Sequence, residues 1–251
     1  MISRLLQRLA LCLLLGPATS ASVGAAEATA AVAANFAAAM ERLESAFEQA
    51  SGHRLTVVFG SSGKLAAQVQ QGAPFDVFLS ADVERPVALQ AAGFALPDSR
   101  FTYAIGRLAL WSPDPQAFND GAAYLATGRF RHLAIANPAL APYGKAAQQA
   151  LQALGVWAAV QDRIVRAGNI GQTYAMVAGG ATQAGFVALA QLTDDTPGSR
   201  WPVPQELHAP IRQDAVLLLH GRDNPAARAF LDYLRSPPAR AVITAQGYDL
   251  P

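Results

Sequence analysis

The chain contains one cysteine in 251 residues, Cys12, and that residue lies in the first 26 positions. Removing those positions as a leader would leave the mature protein without disulfides or thiol chemistry. Lysine is almost absent, only Lys64 and Lys145, and charged residues make up 15% of the chain. No apolar stretch reaches the roughly 18–20 residues that a membrane helix needs. The four histidines, His53, His132, His208 and His220, show no i, i+4 pairing and give no metal-ligand spacing.

What the first residues do have is an export pattern. Arg4 and Arg8 are followed by the apolar run Leu9 to Leu15 and then by small residues from Pro17 to Ala26. Cleavage after Ala26 is expected, with Ser20 as the alternative, and Leu11 before Cys12 is too bulky for a lipoprotein signal. Export of residues 1–26 removes two arginines and no acids, so the formal net charge moves from +1 to −1. A surface so close to neutral argues against nucleic acid or anionic lipid as the partner.

Along the remaining chain, strand patterns alternate with helical ones. A short apolar strand precedes Asn35, read as a helix cap, and Phe36, Met40, Leu43 and Phe47 then repeat at helical spacing up to Ser51-Gly52. Leu55 to Phe59, Asp76 to Leu79, Leu133 to Ala136 and Gly185 to Val187 read as strands, with helices expected over 64–71, 145–154 and 171–178. The pattern predicts an α/β protein with two mainly parallel sheets. The strands 107–111 and 214–220 are expected to cross between two lobes, lobe 1 holding 27–106 plus 214–251 and lobe 2 holding 107–213.

Four strand-to-helix junctions offer free backbone N–H groups beside small or hydrogen-bonding residues. They are Ala33-Ala34-Asn35, Gly60 to Gly63, Pro142-Tyr143-Gly144 and Gly168 to Gly171. Helix starts bind anions because their first amides lack internal partners and lie at the positive end of the helix dipole. Each junction alone reads first as an ordinary capped helix; it is their joint occurrence, two in each half, that points to a ligand. Both lysines follow such a junction; a solvated surface role is the plainer reading, and a raised local positive potential that steers an anion is the alternative.

Residue patterns carry the argument further. The segments 31–40 (AVAANFAAAM), 59–65 (FGSSGKL), 72–82 (GAPFDVFLSAD), 137–145 (NPALAPYGK) and 231–247 (LDYLRSPPARAVITAQG) resemble the periplasmic molybdate-binding proteins of ABC transporters. The resemblance implies a type II periplasmic-binding fold, two α/β lobes joined by two crossing strands. It implies an oxyanion, molybdate and with it tungstate, held by Ala34, Asn35, Ser62, Tyr143 and Ile170, with sulfate as the alternative ligand. The Asn35 carboxamide stands where many relatives have a serine and is expected to donate to a ligand oxygen. Ala188 stands where many have a tyrosine that reaches the anion.

The resemblance further implies a monomeric, non-catalytic periplasmic receptor that needs no cofactor, holds no metal cation directly and delivers its ligand to an ABC permease in the inner membrane. Three other readings are weaker. Ser61 and Lys64 fit S-x-x-K of serine acyl-transfer enzymes, but the companion motifs are missing. Gly60 to Lys64 lacks the upstream glycine of a phosphate-binding P-loop. Tyr143 and Tyr174 as iron(III) ligands lack the histidine and carboxylate that would complete such a site.

Overall fold

The computed structural model describes residues 24–251. The expected export segment, apart from its last three residues, lies outside them. Among the described residues, ten strands form two five-stranded sheets. In the first sheet, β1 (Glu27–Ala33) runs parallel to β2 (Arg54–Gly60) and β3 (Val77–Leu79). Strands β4 (Phe101–Gly106) and β10 (Ile211–Leu217) complete it, β10 lying antiparallel between β3 and β4. In the second, β6 (Leu133–Ala136) is parallel to β7 (Ile164–Ala167) and β8 (Ala184–Ala188). Strand β5 (Leu108–Ser112) is antiparallel to β8 and to β9 (Ser199–Pro202).

Strand alternation decides what covers each face. From β1, Ala28, Ala30 and Val32 enter one core with α1 (Ala37–Ser51), α8 (Pro225–Arg235) and α9 (Pro237–Ala245), whereas Ala31 turns to the other face. That face is covered by α2 (Ser62–Gln70) and α3 (Glu84–Ala91) through Leu65, Val69 and Leu89. The second sheet repeats the scheme. Phe186 packs under α5 (Pro142–Ala153), while Val187 faces Val177 of α7 (Ile170–Ala178). The short helices α4 (Gly121–Thr127) and α6 (Trp157–Val160) close that lobe. The helical spacing of Phe36, Met40, Leu43 and Phe47 leaves all four side chains buried, each stabilising the core by about 1.5–3 kcal/mol relative to exposure.

The sheets are joined twice. Only Arg107 separates β4 from β5, so one extended segment runs from the first sheet into the second. The return path differs from expectation. The last strand spans Ile211–Leu217, pairs with β4 and lies in the first sheet; the crossing chain is 203–210. The run 214–220 suggested a later strand, but the strand starts at Ile211 because its backbone finds Gly106 as a partner. Ile211 nevertheless places its side chain in the second core.

Candidate ligand-binding site

Four chain reversals meet around a small cavity between the lobes. The first lobe contributes the 3-10 turn Ala34–Phe36 and the start of α2 at Ser61-Ser62; the second contributes Pro142-Tyr143 at the start of α5 and Asn169-Ile170 at the start of α7. The cavity measures about 10 Å³, against about 640 and 620 Å³ for two larger surface clefts. Among the described residues, no charged side chain lines it. Ala34, Asn35, Ser62, Tyr143 and Ile170 all do.

Local chemistry makes these groups available. Ser61, in extended conformation, is the N-cap of α2, its Oγ accepting the Lys64 N–H at 3.4 Å. Capping by Ser61 frees Ser62, whose Oγ accepts the Ala81 N–H at 2.9 Å and keeps its proton for an acceptor in the cavity. Asn169 caps α7 by accepting the Gln172 N–H at 2.9 Å, which leaves the Ile170 amide uncovered. Pro142 begins α5 without an N–H, so Tyr143 presents the first amide of that helix. Among the described residues, the amides of Ala34, Asn35, Ser62, Tyr143 and Ile170 have no acceptor.

The Asn35 side chain does not fit the expectation. It is not a helix cap, since Asn35 sits inside the 3-10 turn. Its carboxamide is not aimed at a ligand either: Nδ2 donates to Gln213 Oε1 at 2.8 Å and to Tyr248 Oη at 3.2 Å. The Tyr248 hydroxyl in turn donates to the Asn35 carbonyl at 2.6 Å. Both amide protons are therefore spent behind the cavity, and Asn35 offers the site its backbone N–H. The Tyr103 hydroxyl also lies 3.2 Å from Gln213 Oε1. Burial pushes the Tyr103, Tyr143 and Tyr248 phenols well above their ordinary value, so all three stay neutral.

Sequence reasoning missed Gln213, Tyr103 and Tyr248. No local pattern marks Gln213, which stands between Arg212 and Asp214 in its strand. Ala188 is fully buried in the second core and is not in the cavity lining. Beside it, Gln191 accepts the Ala188 N–H at 2.9 Å and reaches the Ile170 carbonyl at 3.4 Å, which ties β8 to the α7 loop.

Charges surround the site without entering it. Lys145 Nζ lies 3.3 Å from Glu84 Oε1, joining the two lobes, and Arg85 pairs with Asp82 while donating to the Ala139 carbonyl across the gap. Lys64 extends toward the α7 loop, where a methyl group on Gly168 would lie 3.4 Å from its Nζ. Ser61 is thus a cap and Lys64 points away from it, an arrangement unlike nucleophile and base. Tyr174 stacks on Trp111 at 5.0 Å, and the Tyr143 hydroxyl faces Gln213, so the two phenols do not converge as metal ligands.

The sequence pattern of the bacterial extracellular solute-binding proteins matches residues 28–249. The chain belongs to this family. This solute-binding protein is 49% identical over 229 residues to the molybdate-binding protein ModA of Azotobacter vinelandii, covering 90% of this chain and 91% of that one. It is 46% identical over 239 residues to ModA of Rhodobacter capsulatus, covering 95% and 94%. The solved periplasmic molybdate-binding protein of Azotobacter vinelandii superposes with a TM-score of 0.86 at 42% identity, covering 89% of this chain and 99% of that chain. Two mixed α/β sheets joined by two crossings give this solute-binding protein the type II periplasmic-binding fold.

Proposed function

We propose that the protein is a periplasmic receptor that binds molybdate, and tungstate by the same contacts, between its lobes and delivers it to an ABC permease as a monomer. The observation that carries this reading is a cavity lined by backbone amides from both lobes and the Ser62 hydroxyl, with no carboxylate among its lining residues. A doubly charged tetrahedral anion is the chemistry that such a lining matches. It offers only acceptors, and each hydrogen bond to a charged group contributes roughly 1.5–3 kcal/mol before desolvation offsets much of it. A protonated anion such as hydrogen phosphate would turn its O–H against a donor. The relatives named molybdate-binding at 46% and 49% identity support the same ligand.

The segments 27–106 with 211–251 and 108–202 are the proposed moving units, closing on the ion about Arg107 and the 203–210 crossing; the expected boundary at 213/214 moves because β10 already pairs in the first sheet from Ile211. Binding and release need no cofactor and no bond-making step. Titration calorimetry with molybdate, tungstate, sulfate and phosphate tests the reading. Micromolar to nanomolar affinity for the first two, about −8 to −12 kcal/mol, is expected. No heat with molybdate overturns it.

A further inference from the structure

Tyr143 stands in two places at once. Its backbone N–H belongs to the cavity, yet its side chain is 1% exposed and runs away from the ligand to the segment joining the lobes. There the hydroxyl accepts from Gln213 Nε2 at 3.4 Å. Gly106, the last residue before the Arg107 crossing, leaves the space: a Cβ on Gly106 would sit 2.0 Å from Tyr143 Oη and 2.8 Å from Gln213 Nε2. Gly106 and Gln213 lie on β4 and β10 of the first sheet, whereas Tyr143 starts α5 over the second.

We propose that Tyr143 is a positioning residue that couples lobe closure to ligand retention through the contact of its hydroxyl with Gly106 and Gln213. This inference rests on the cleft being the molybdate site. The contact joins lobes, so it exists only when they are together; in an open form water satisfies both polar groups. Gln213 also accepts from Asn35 Nδ2, so the hydroxyl touches the network that orients Asn35, whose amide lines the cavity from the other lobe. Amides on opposite sides of the ligand are thereby tied through their own side chains. Removing the hydroxyl leaves the Gln213 Nε2 protons short of a buried acceptor in the closed form alone, and the closed form is the one that retains ligand.

The test uses the full mature chain with molybdate as the probe. Tyr143→Phe keeps the amide and the ring. It is expected to release molybdate about tenfold faster and raise Kd by about the same factor. The melting temperature of the ligand-free protein should stay within about 1 °C of the parent, below the roughly 2–4 °C that 1 kcal/mol produces in a chain of this length. A role confined to packing within one lobe gives the opposite: a lower ligand-free melting temperature with unchanged Kd. Gly106→Ala displaces the hydroxyl and should weaken binding more than Tyr143→Phe does. Combining the two removes the 2.0 Å conflict and should restore part of the affinity that Gly106→Ala loses. Additive losses, or equal release rates for Tyr143→Phe and parent, overturn the coupling. A parent that binds no molybdate sinks the functional reading as well, whereas a parent that binds and a variant that binds equally well sinks the coupling alone.

Discussion

Ser62 owes its availability to the residue before it. Ser61 takes the capping role, and Ala81 supplies the N–H that Ser62 accepts, so the Ser62 proton is directed to the cavity. Ser62→Ala removes that donor and strands the Ala81 amide. Molybdate affinity should fall at least about tenfold, with a loss of about 1–2 kcal/mol in the ligand-free protein; calorimetry and urea unfolding read the two effects separately. Asn35 behaves differently. A carboxamide facing the ligand would make Asn35→Asp a pure binding defect, with the ligand-free protein as stable as before. With Nδ2 held by Gln213 and Tyr248, both packed with the first lobe, the substitution buries a carboxylate against an acceptor. Stability of the ligand-free protein is expected to drop by about 3 kcal/mol or more. An unchanged unfolding midpoint would return the side chain to the ligand.

Among the elements, the starts of helices matter most, because that is where amides are left over. Where each start points depends on how its helix seats on a strand. Gly144, in the first turn of α5, passes so close to β6 that a Cβ would lie 2.0 Å from the Ala136 carbonyl oxygen and 2.6 Å from its carbon. Both atoms are backbone, so the helix must yield. Gly144→Ala should therefore push α5 off the second sheet and carry the Tyr143 amide with it. The expected cost is about 2 kcal/mol or more in denaturant unfolding together with weakened molybdate binding. Full affinity in this variant would show that the Tyr143 amide is no part of the site. The α3 helix, not anticipated from sequence, presents Glu84 and Arg85 to the facing lobe.

At the scale of the molecule, the lobes meet through Gly63 N–H to the Leu140 carbonyl at 2.9 Å, through Arg85 and through Lys145 with Glu84. The Glu84 carboxyl is held below its ordinary value first by the amide at its own helix start and then by Lys145. Both partners are largely exposed, so the pair is a weak latch: Glu84→Gln should change the molybdate Kd less than about threefold at physiological salt. A tenfold change would make the latch a main element of closure. Scattering profiles with and without saturating molybdate should differ, the loaded form being more compact. Three buried phenols set an alkaline limit on the fold. Their values are raised by burial, so the stability they contribute is complete below the ordinary value of 10.0 and is lost as pH rises past it, when the unfolded chain ionises first. Melting temperature should hold toward pH 10 and fall above it, and Tyr248→Phe should flatten that fall.

Much of this was written locally. Strand and helix patterns are period-two and period-3.6 properties of neighbours, and the helices begin at Ser62, Pro142 and Ile170, one to three residues ahead of the expected 64, 145 and 171, where the adjacent serine, proline and asparagine open them. The segments 31–40, 59–65, 72–82 and 137–145 carried the resemblance and with it the expected ligand contacts. Sequence alone therefore sufficed for the α/β class, the two sheets and the four junctions that meet at the cavity. Only the tertiary structure decided which donors are spent and which are free. Asn35 is 178 positions from Gln213 and 213 from Tyr248, and no local pattern records that these side chains compete with a ligand for its protons. The same holds for the late strand, whose start at Ile211 was fixed by pairing with Gly106, and for Tyr143, whose hydroxyl meets the hinge only because two lobes come together. Local propensity chooses elements; long-range hydrogen bonds, formed only after packing, choose what those elements offer.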